Sequence, residues 1–435
     1  MAEPLRIALA GLGTVGIGVI ELLETNRSTI ERRAGRELQI VAINARDRSR
    51  DRSIDLSPYI WVDDMQAMAE RGDVDVVLEL VGGSDGPALT LARAALDAGK
   101  GFVTANKAMI AHHGLALAEQ AALRGVPLKF EAAVAGGIPV VKGLREGAAA
   151  NRIERIYGIL NGTCNYILSE MERTGADFGD MLRAAQEKGY AEADPTFDIE
   201  GVDAAHKLAI LAGIGFGARV DFDHVAATGI GEVRAADITQ AESLGYVIRL
   251  VGIASLDRSE KRPTLLQRVR PCLVGRGHPL AAVAGPTNAV VAEGNFVGRL
   301  LFQGAGAGAG PTASAVVADL IDIARGDSGA PFSVPVEQLE QFAPADPGNR
   351  IGRDYIRFTV NDRPGVLAEI TAAMRDAEVS IESLIQRGRD HEGGEVLVAM
   401  VTHEGPERCV AKALDLLDGS PSLTAPPLVM PILKD

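Results

Sequence analysis

Apolar residues along the chain keep two rhythms. Residues 5–10 (LRIALA), 38–43 (LQIVAI), 74–80 (VDVVLEL), 101–103 (GFV) and 126–131 (VPLKFE) are short runs rich in strand-forming side chains. Short runs of this kind predict strands buried in a parallel sheet. Between them, 87–98 (PALTLARAALDA) and 114–124 (GLALAEQAALR) carry apolar residues at helical spacing, and another long amphipathic stretch follows a glycine-rich turn after residue 10. Strands alternating with helices predict right-handed βαβ units.

From about residue 150 the texture changes. Residues 152–160 predict a strand leading into Asn161-Gly162-Thr163. Helices are predicted over 164–174, 178–188 and 201–214, and further strands over 246–254 and 264–274. This is the pattern of a second unit of mixed α/β type. The run 304–311 (GAGAGAGP) predicts a flexible loop, followed by a helix over 312–325 with Thr312 as its cap. A Pro/Asp-rich stretch at 343–349 (APADPGN) predicts a linker. Beyond it the order is strand (355–360), helix (364–376), strands (379–386 and 395–402), helix (406–417) and strand (427–433), a compact βαββαβ unit. His391-Glu392-Gly393-Gly394 fits a hairpin turn in that unit.

Composition narrows the possible partners. The 435 residues carry a formal net charge of −14, so phosphate backbones and anionic lipid are repelled, and neither nucleic acid nor membrane is expected as a partner. No apolar stretch reaches the roughly 20 residues of a spanning helix. The N-terminus runs straight into a predicted strand, leaving no room for a signal peptide, and the cytoplasm is the expected location. The three cysteines, Cys164, Cys272 and Cys409, are widely spaced; they form neither a metal motif nor a disulfide framework.

Gly11-Leu12-Gly13-Thr14-Val15-Gly16 is a GxGxxG between a predicted strand and a predicted helix. The first glycine permits the tight turn, the second lets the backbone approach a pyrophosphate, and the third lets helix and strand pack closely. The helix N-terminus then faces the anion. An α/β fold with a dinucleotide-binding parallel sheet of Rossmann type follows. An NAD site usually places an acid at the end of the second strand; here the chain has Asn44-Ala45-Arg46-Asp47-Arg48. A guanidinium there suits the 2′-phosphate of NADP, with Arg46 the best placed, and NAD stays open. The plainer reading is a solvated arginine loop.

Two lysines sit at candidate chemical positions. Lys107, in Thr104-Ala105-Asn106-Lys107, follows a parallel strand, where open α/β sheets bind their ligands. Lys207 and Asp203 are spaced i, i+4 on a predicted helix and share a face. Burial would lower the Lys207 pKa and the carboxylate would oppose that. A lysine so placed exchanges a proton with an alcohol or carbonyl oxygen; read from spacing alone, an ordinary surface ion pair is the plainer reading. The acid-rich stretch 189–198 offers carboxylates to a substrate ammonium group, though on composition alone a solvated acidic loop is the plainer reading. Cys164 opens a rival chemistry, that of a phosphorylating semialdehyde dehydrogenase with a thiolate nucleophile; a small buried side chain is the plainer reading.

GLGTVG at 11–16, TANK at 104–107, FEAAVAGGIPV at 130–140, GTCNYIL at 162–168, GYAEADPTFDIEGVDAAHKL at 189–208 and GAGAGPTASAVVADL at 306–320 occur in this order. Together they resemble the successive signatures of homoserine dehydrogenases, over essentially residues 5–325. The resemblance implies reversible reduction of aspartate 4-semialdehyde to homoserine with NADP or NAD, in threonine, methionine and isoleucine biosynthesis. It implies Lys207 as acid/base with Lys107 beside it, Glu192 and Asp198 on the substrate, and Asp203 supporting Lys207. Gly11, Gly13, Thr14, Val15, Gly16, Arg46, Thr104, Lys107 and Gly310 would lie on the cofactor. By the same resemblance Glu131, Val134, Gly136 and Ile138 match a loop that holds a monovalent cation such as sodium; from sequence alone that loop reads as a helix-capping turn. The glycine loop before Pro311 is more repetitive than the family pattern.

The C-terminal βαββαβ unit resembles an ACT domain. Asp362, Gly365 and Val366 lie at a strand-to-helix corner whose free amides suit a carboxylate. By resemblance the effector is a small amino acid, threonine; a purely structural dimerisation module is the plainer alternative. The expected division is a dinucleotide-binding domain over 1–140, with 306–340 returning to it. A catalytic and dimerisation domain of α+β type covers 141–305, a linker 341–352 and the ACT-like regulatory domain 353–435. A homodimer or homotetramer is expected. A non-catalytic amino-acid sensor is the remaining alternative, against which Lys107, Glu192, Asp198 and Lys207 all stand.

Overall fold

The computed structural model describes residues 2–259, 261–387 and 395–434; the predicted turn at His391–Gly394 lies outside them. The fold is of α/β class. The chain begins β1 (Leu5–Ala10), α1 (Thr14–Thr25), α2 (Arg27–Ala34), β2 (Leu38–Asn44), β3 (Ile60–Trp61) and α3 (Ala67–Glu70). It continues through β4 (Val76–Glu79), α4 (Pro87–Asp97), β5 (Gly101–Thr104), α5 (Lys107–Arg124) and β6 (Leu128–Lys129). These strands form a parallel sheet of order β3-β2-β1-β4-β5-β6. The order reverses beside β1, so a crevice opens beyond the carboxyl ends of β1 and β4. Gly11 stands there at φ +104°, where a Cβ would lie 2.6 Å from the Leu80 carbonyl. Only glycine closes that turn.

A short helix, α6 (Val140–Lys142), leads to β7 (Ile153–Ile159), α7 (Gly162–Thr174), α8 (Phe178–Glu187), α9 (Thr196–Ile199) and α10 (Val202–Phe216). Next come β8 (Ala226–Ala227), α11 (Ala235–Ser243), β9 (Tyr246–Asp257), β10 (Thr264–Gly275), β11 (Thr287–Gly294) and β12 (Gly298–Ala305). The second sheet has the path β12-β11-β7-β9-β10-β13, where β13 is Ala343–Pro344. Helix α10 is buried along nearly all its length and packs on β7, β9 and β10.

Helix α12 (Ala309–Ala324) then packs beside α1, with Ala313, Val316 and Leu320 in one core with Ile7, Leu9 and Val19. This helix starts three residues before the sequence pattern predicts. Strand β12 runs to Ala305, so the glycine run is divided between a strand end and a helix start. Gly308, not Thr312, is the N-cap; Thr312 is buried inside the helix. The alternating glycine and alanine carry no side-chain pattern from which either element is readable.

The predicted linker is also more ordered than its composition implies, since Ala343 and Pro344 pair with Thr264 and Leu265 of β10. After β14 (Ile351–Gly352) come β15 (Asp354–Asn361), α13 (Val366–Asp376), β16 (Ile381–Arg387) and β17 (Glu395–Thr402). The described chain ends with β18 (Gly405–Pro406), α14 (Glu407–Leu416) and β19 (Leu423–Pro431). The four-stranded sheet has order β16-β17-β15-β19, which is the predicted βαββαβ arrangement.

Candidate functional site

The site is built at the ends of β4, β5 and β7 and on the first turns of α10. Glu79 closes β4 and is fully buried. One of its oxygens accepts the N–H groups of Val81 and Gly82 at 2.7 and 2.8 Å; the other accepts the Thr104 hydroxyl at 2.6 Å. Thr104 in turn accepts the Asn106 N–H at 2.9 Å, and Asn106 caps α5 through Met109 N–H at 3.1 Å. Thr104 therefore orders the loop that delivers Lys107, and its hydroxyl is already taken by Glu79. Nothing in the sequence pattern singles out Glu79, because an acid ending an apolar strand looks like an ordinary strand terminus.

Helix α10 starts from Gly201 at φ +82°, which places Asp203 in its first turn and Lys207 one turn on. Lys207 Nζ donates to Asp203 Oδ2 at 2.7 Å and to the Leu160 carbonyl at 2.8 Å. Lys107 Nζ meets the other oxygen, Asp203 Oδ1, at 3.1 Å. One carboxylate thus holds both lysines. Asn161 Nδ2 ties it to its neighbour, donating to Asp203 Oδ2 at 2.8 Å and Asp198 Oδ1 at 2.7 Å, while Asn161 Oδ1 caps α7 at Cys164 N–H. Burial alone would raise the Asp203 carboxyl, but Lys207 and Lys107 outweigh it and hold the group well below the usual carboxylate range. Asp198 goes the other way, raised first by burial and then by the Asp203 charge.

Beside this cluster lies a cavity of about 520 Å³, lined among others by Gly82, Ser84, Asn106, Lys107, Phe197 and His206. Lys107 faces it, its side chain 34% exposed, whereas the Lys207 side chain is 10% exposed and sits behind. His206 Nε2 lies 3.2 Å from His112 Nε2. Burial, then His112, pushes His206 down to about 4, so the His206 imidazole is neutral at neutral pH.

Glu192 is not brought onto the cluster. It is exposed on the turn before α9, where its carbonyl accepts Gln186 Nε2 at 3.1 Å, and its carboxylate has no partner among the described residues. Cys164 is fully buried and donates its thiol to the Asp198 carbonyl at 3.2 Å. Burial, reinforced by Asp198, raises the thiol well above its ordinary value. A nucleophile needs the thiolate, and no histidine is hydrogen-bonded to this thiol among the described residues, so the geometry runs against the cysteine mechanism.

The glycine turn leaves room for a dinucleotide. A Cβ on Gly16 would lie 2.0 Å from the Gly11 carbonyl, whereas one on Gly13, the N-cap of α1, would meet nothing within 4 Å. The backbone at the helix mouth, with Thr14 and Val15 in its first turn, is therefore open to a pyrophosphate. Gly310 lies exposed in the first turn of the adjacent α12, and Gly18 of α1 approaches Ala309 closely. Arg46 is exposed beyond β2 and unpaired among the described residues. Arg48 and Arg52 flank the Trp61 ring at 5.4 and 5.8 Å, and Arg52 Nε donates to the Leu12 carbonyl inside the glycine motif at 3.1 Å. Asn44 spends its amide on the Val62 carbonyl, leaving no acid at the strand end.

The loop at 131–138 is buried except at Gly137. Glu131 accepts the N–H groups of Val141 and Lys142 at 3.1 and 2.9 Å, and its own N–H donates to Asp319 on α12 at 2.8 Å. Gly136 stands at φ +53°, and a Cβ there would lie 2.6 Å from the Gly306 carbonyl. The carbonyls of Val134 and Gly136 accept no hydrogen bond among the described residues, while that of Ile138 accepts Val140 N–H at 2.7 Å. In the C-terminal sheet, Gly365 caps α13 at φ +99°; the helix starts at Val366, two residues later than predicted, and the Asp362 carboxylate has no partner among the described residues.

Three family models match the chain: "Homoserine dehydrogenase, NAD binding domain" over 11–131, "Homoserine dehydrogenase" over 139–321 and "ACT domain" over 355–415. A homoserine dehydrogenase of Pseudomonas aeruginosa is 42% identical over 98% of this chain and 98% of its own length. The crystal structure of a homoserine dehydrogenase from Thiobacillus denitrificans superimposes with a TM-score of 0.92 at 40% identity, covering 99% of both chains. A hyperthermophilic archaeal homoserine dehydrogenase in complex with NADPH matches 74% of this chain and 97% of its own, with a TM-score of 0.62 at 26% identity.

Proposed function

The chain belongs to the homoserine dehydrogenase family, and from that membership we propose how its residues divide the work. The family activity is NAD(P)-dependent interconversion of homoserine and aspartate 4-semialdehyde, a step of amino-acid biosynthesis, and the chain carries an ACT domain. A nicotinamide cofactor, when bound, supplies or accepts the hydride. In the direction of aldehyde reduction the carbonyl carbon takes that hydride, and the oxygen gathers negative charge and needs a proton. Lys207 is the acid/base at that oxygen, acting with Lys107, the ammonium that the cavity exposes. Asp203 stabilises both ammonium groups and fixes their spacing. Preorganised charge of this kind favours the transition state because it needs no rearrangement as charge develops.

Asp198 and Glu192 hold the substrate ammonium. The Glu192 assignment requires the turn at 189–195 to close over the cavity, since its carboxylate is turned to solvent here. NADP is the preferred cofactor, with Arg46 on the 2′-phosphate and the backbone of Gly11, Gly13, Thr14, Val15 and Gly16 on the pyrophosphate. Thr104 and Gly310 border the cofactor. A monovalent cation such as sodium fits the 131–138 loop, where the uncommitted carbonyls of Val134 and Gly136 are the donors; Glu131 and Ile138 complete the loop. Threonine is the effector, with its carboxylate on the amides after Asp362 and Gly365. The site of action is the cytoplasm, and the assembly is a homodimer or homotetramer. The division at 1–140, 141–305 and 353–435, with 306–340 returning to the first part, matches these roles.

The observation that carries the reading is the single buried carboxylate shared by two lysines at the edge of a cavity. Its test is homoserine oxidation followed by nicotinamide absorbance, with NADP and NAD in parallel. Homoserine-dependent reduction of NADP at higher kcat/KM than NAD is expected. Equal or higher kcat/KM with NAD overturns the cofactor assignment, and no reduction of either overturns the whole reading.

A further inference from the structure

The C-terminal sheet is fastened to the rest of the chain by buried charge. Arg357 on β15 is 3% exposed, and Asp237 at the start of α11 is fully buried. Arg357 Nη1 donates to Asp237 Oδ2 and, at 3.2 Å, to the Glu232 carbonyl. Tyr355, on the same strand, donates its hydroxyl to Asp237 Oδ1 at 3.0 Å, and Asp237 also accepts the Arg234 N–H at 2.9 Å. The near end of a short strap, residues 228–237, is thus gripped by β15.

The far end lies on the substrate site. Thr228 N–H donates to the Val269 carbonyl at 2.8 Å and Ile230 N–H to the Ile199 carbonyl at 2.9 Å. At Gly229 a Cβ would stand 2.2 Å from that same Ile199 carbonyl, so the strap rests directly on it. Ile199 follows Asp198, and Gly201, the N-cap of the helix bearing Asp203 and Lys207, comes two residues later. Between the two grips the strap is closed by Val233 N–H donating to the Ile230 carbonyl at 3.0 Å. A segment with both ends and its middle bonded transmits a displacement instead of absorbing it.

We infer that Arg357 is a positioning residue for the substrate site, acting through the 228–237 strap to hold Ile199 and with it Asp198 and the start of α10. The inference rests on reading Asp198 and Asp203 as substrate-site carboxylates. It also gives the effector corner a route to the chemistry, because β15 runs from Arg357 to the turn containing Asp362 and Gly365. An amino acid bound at that turn biases the strap only by favouring one position of β15 over another.

The test uses the full chain with Arg357→Lys, the balanced double variant Arg357→Met with Asp237→Asn, and Tyr355→Phe. The last keeps the ion pair, loses one hydrogen bond and is the member expected to fold without difficulty. KM for homoserine, kcat, NADP affinity and the exchange rate of the Ile230 amide are measured on each. Faster Ile230 exchange with KM raised about fivefold or more in the Arg357 variants, about twofold in Tyr355→Phe, and cofactor affinity unchanged is the expected result. A merely structural contact would lower stability without separating KM from cofactor affinity. Unchanged Ile230 exchange, or faster exchange with unchanged KM, in any folded member overturns the inference. Lys207→Ala is run alongside: turnover surviving there overturns the assignment of Lys207 as the acid/base instead, whatever the Arg357 series does.

Discussion

Asp203 offers each of its oxygens to a different lysine, and the two lysines differ in what they face. Lys207 already has two acceptors, Asp203 and the Leu160 carbonyl, and is nearly covered; Lys107 lines the cavity. Lys207→Ala is expected to lower kcat at least a hundredfold, about 2.7 kcal/mol in barrier, while cofactor binding by fluorescence titration stays intact. If it keeps more than about a tenth of the activity, less than ~1.4 kcal/mol, the acid/base assignment passes to Lys107 alone. A second expectation concerns the cofactor: Arg46→Ala should cost NADP roughly 1.5–3 kcal/mol and leave NAD unaffected, since only the 2′-phosphate contact is lost. The ratio of the two kcat/KM values measures this, and an unchanged ratio would shift the role to Arg48 or Arg52. The i, i+4 spacing made the Asp203–Lys207 pair readable from sequence. The arrival of Lys107 on the same carboxylate was not, because it depends on how β5 sits against α10. Asn161, which bonds both carboxylates, looked like a turn residue for the same reason.

Elements with a strong apolar rhythm, β1, β2, α4, α7, α10 and the C-terminal βαββαβ set, were legible along the chain. Those built from small or exposed residues were not: β12 is half exposed along its length, and the start of α12 is alanine and glycine. Yet α12 does more than fill space. Asp319 accepts the Glu131 N–H, and Lys142 pairs with Asp319 at 3.5 Å and with Asp322, so a buried charge network locks the 131–142 loop to this helix. Burial, then the Asp319 charge, pushes Glu131 from its ordinary 4.5 up to about 7. The native carboxyl therefore binds its proton more tightly than the unfolded chain does. The native state holds the extra proton between those two values, and stability falls as pH rises across the window. Thermal unfolding from pH 4.5 to 7.5 should show this fall in the wild type and a flatter curve in Glu131→Gln. Parallel curves would mean that Glu131 is ionised throughout. Added sodium should raise the wild-type Tm most at the upper end of the window if the loop holds a cation, because binding stabilises the native state.

At the scale of the whole molecule the C-terminal unit is docked, not tethered. Glu407 of α14 receives Arg268 of β10 at 2.8 and 3.0 Å and Arg350 at 2.5 Å, Leu433 N–H donates to the Leu273 carbonyl at 2.8 Å, and Tyr355 and Met430 belong to the central core. The βαββαβ order was visible in sequence; this docking was not, since the pairing of Arg268 with Glu407 or of Arg357 with Asp237 leaves no local pattern. Residues 1–342 on their own retain every catalytic side chain but lose the partners of Asp237 and Arg268. They should still oxidise homoserine, with a lower Tm and a raised KM, and should ignore threonine, whereas the full chain should respond by roughly 5–150-fold. Equal threonine response in both would place the effector site outside the C-terminal unit. The claim on which the rest depends is that one buried carboxylate holds two lysines ready for proton exchange. Homoserine-dependent NADP reduction by Asp203→Asn, measured beside the wild type at matched cofactor occupancy, tests it most directly. The account predicts at least a hundredfold loss of kcat, about 2.7 kcal/mol. A variant that turns over within tenfold of the wild type would contradict it.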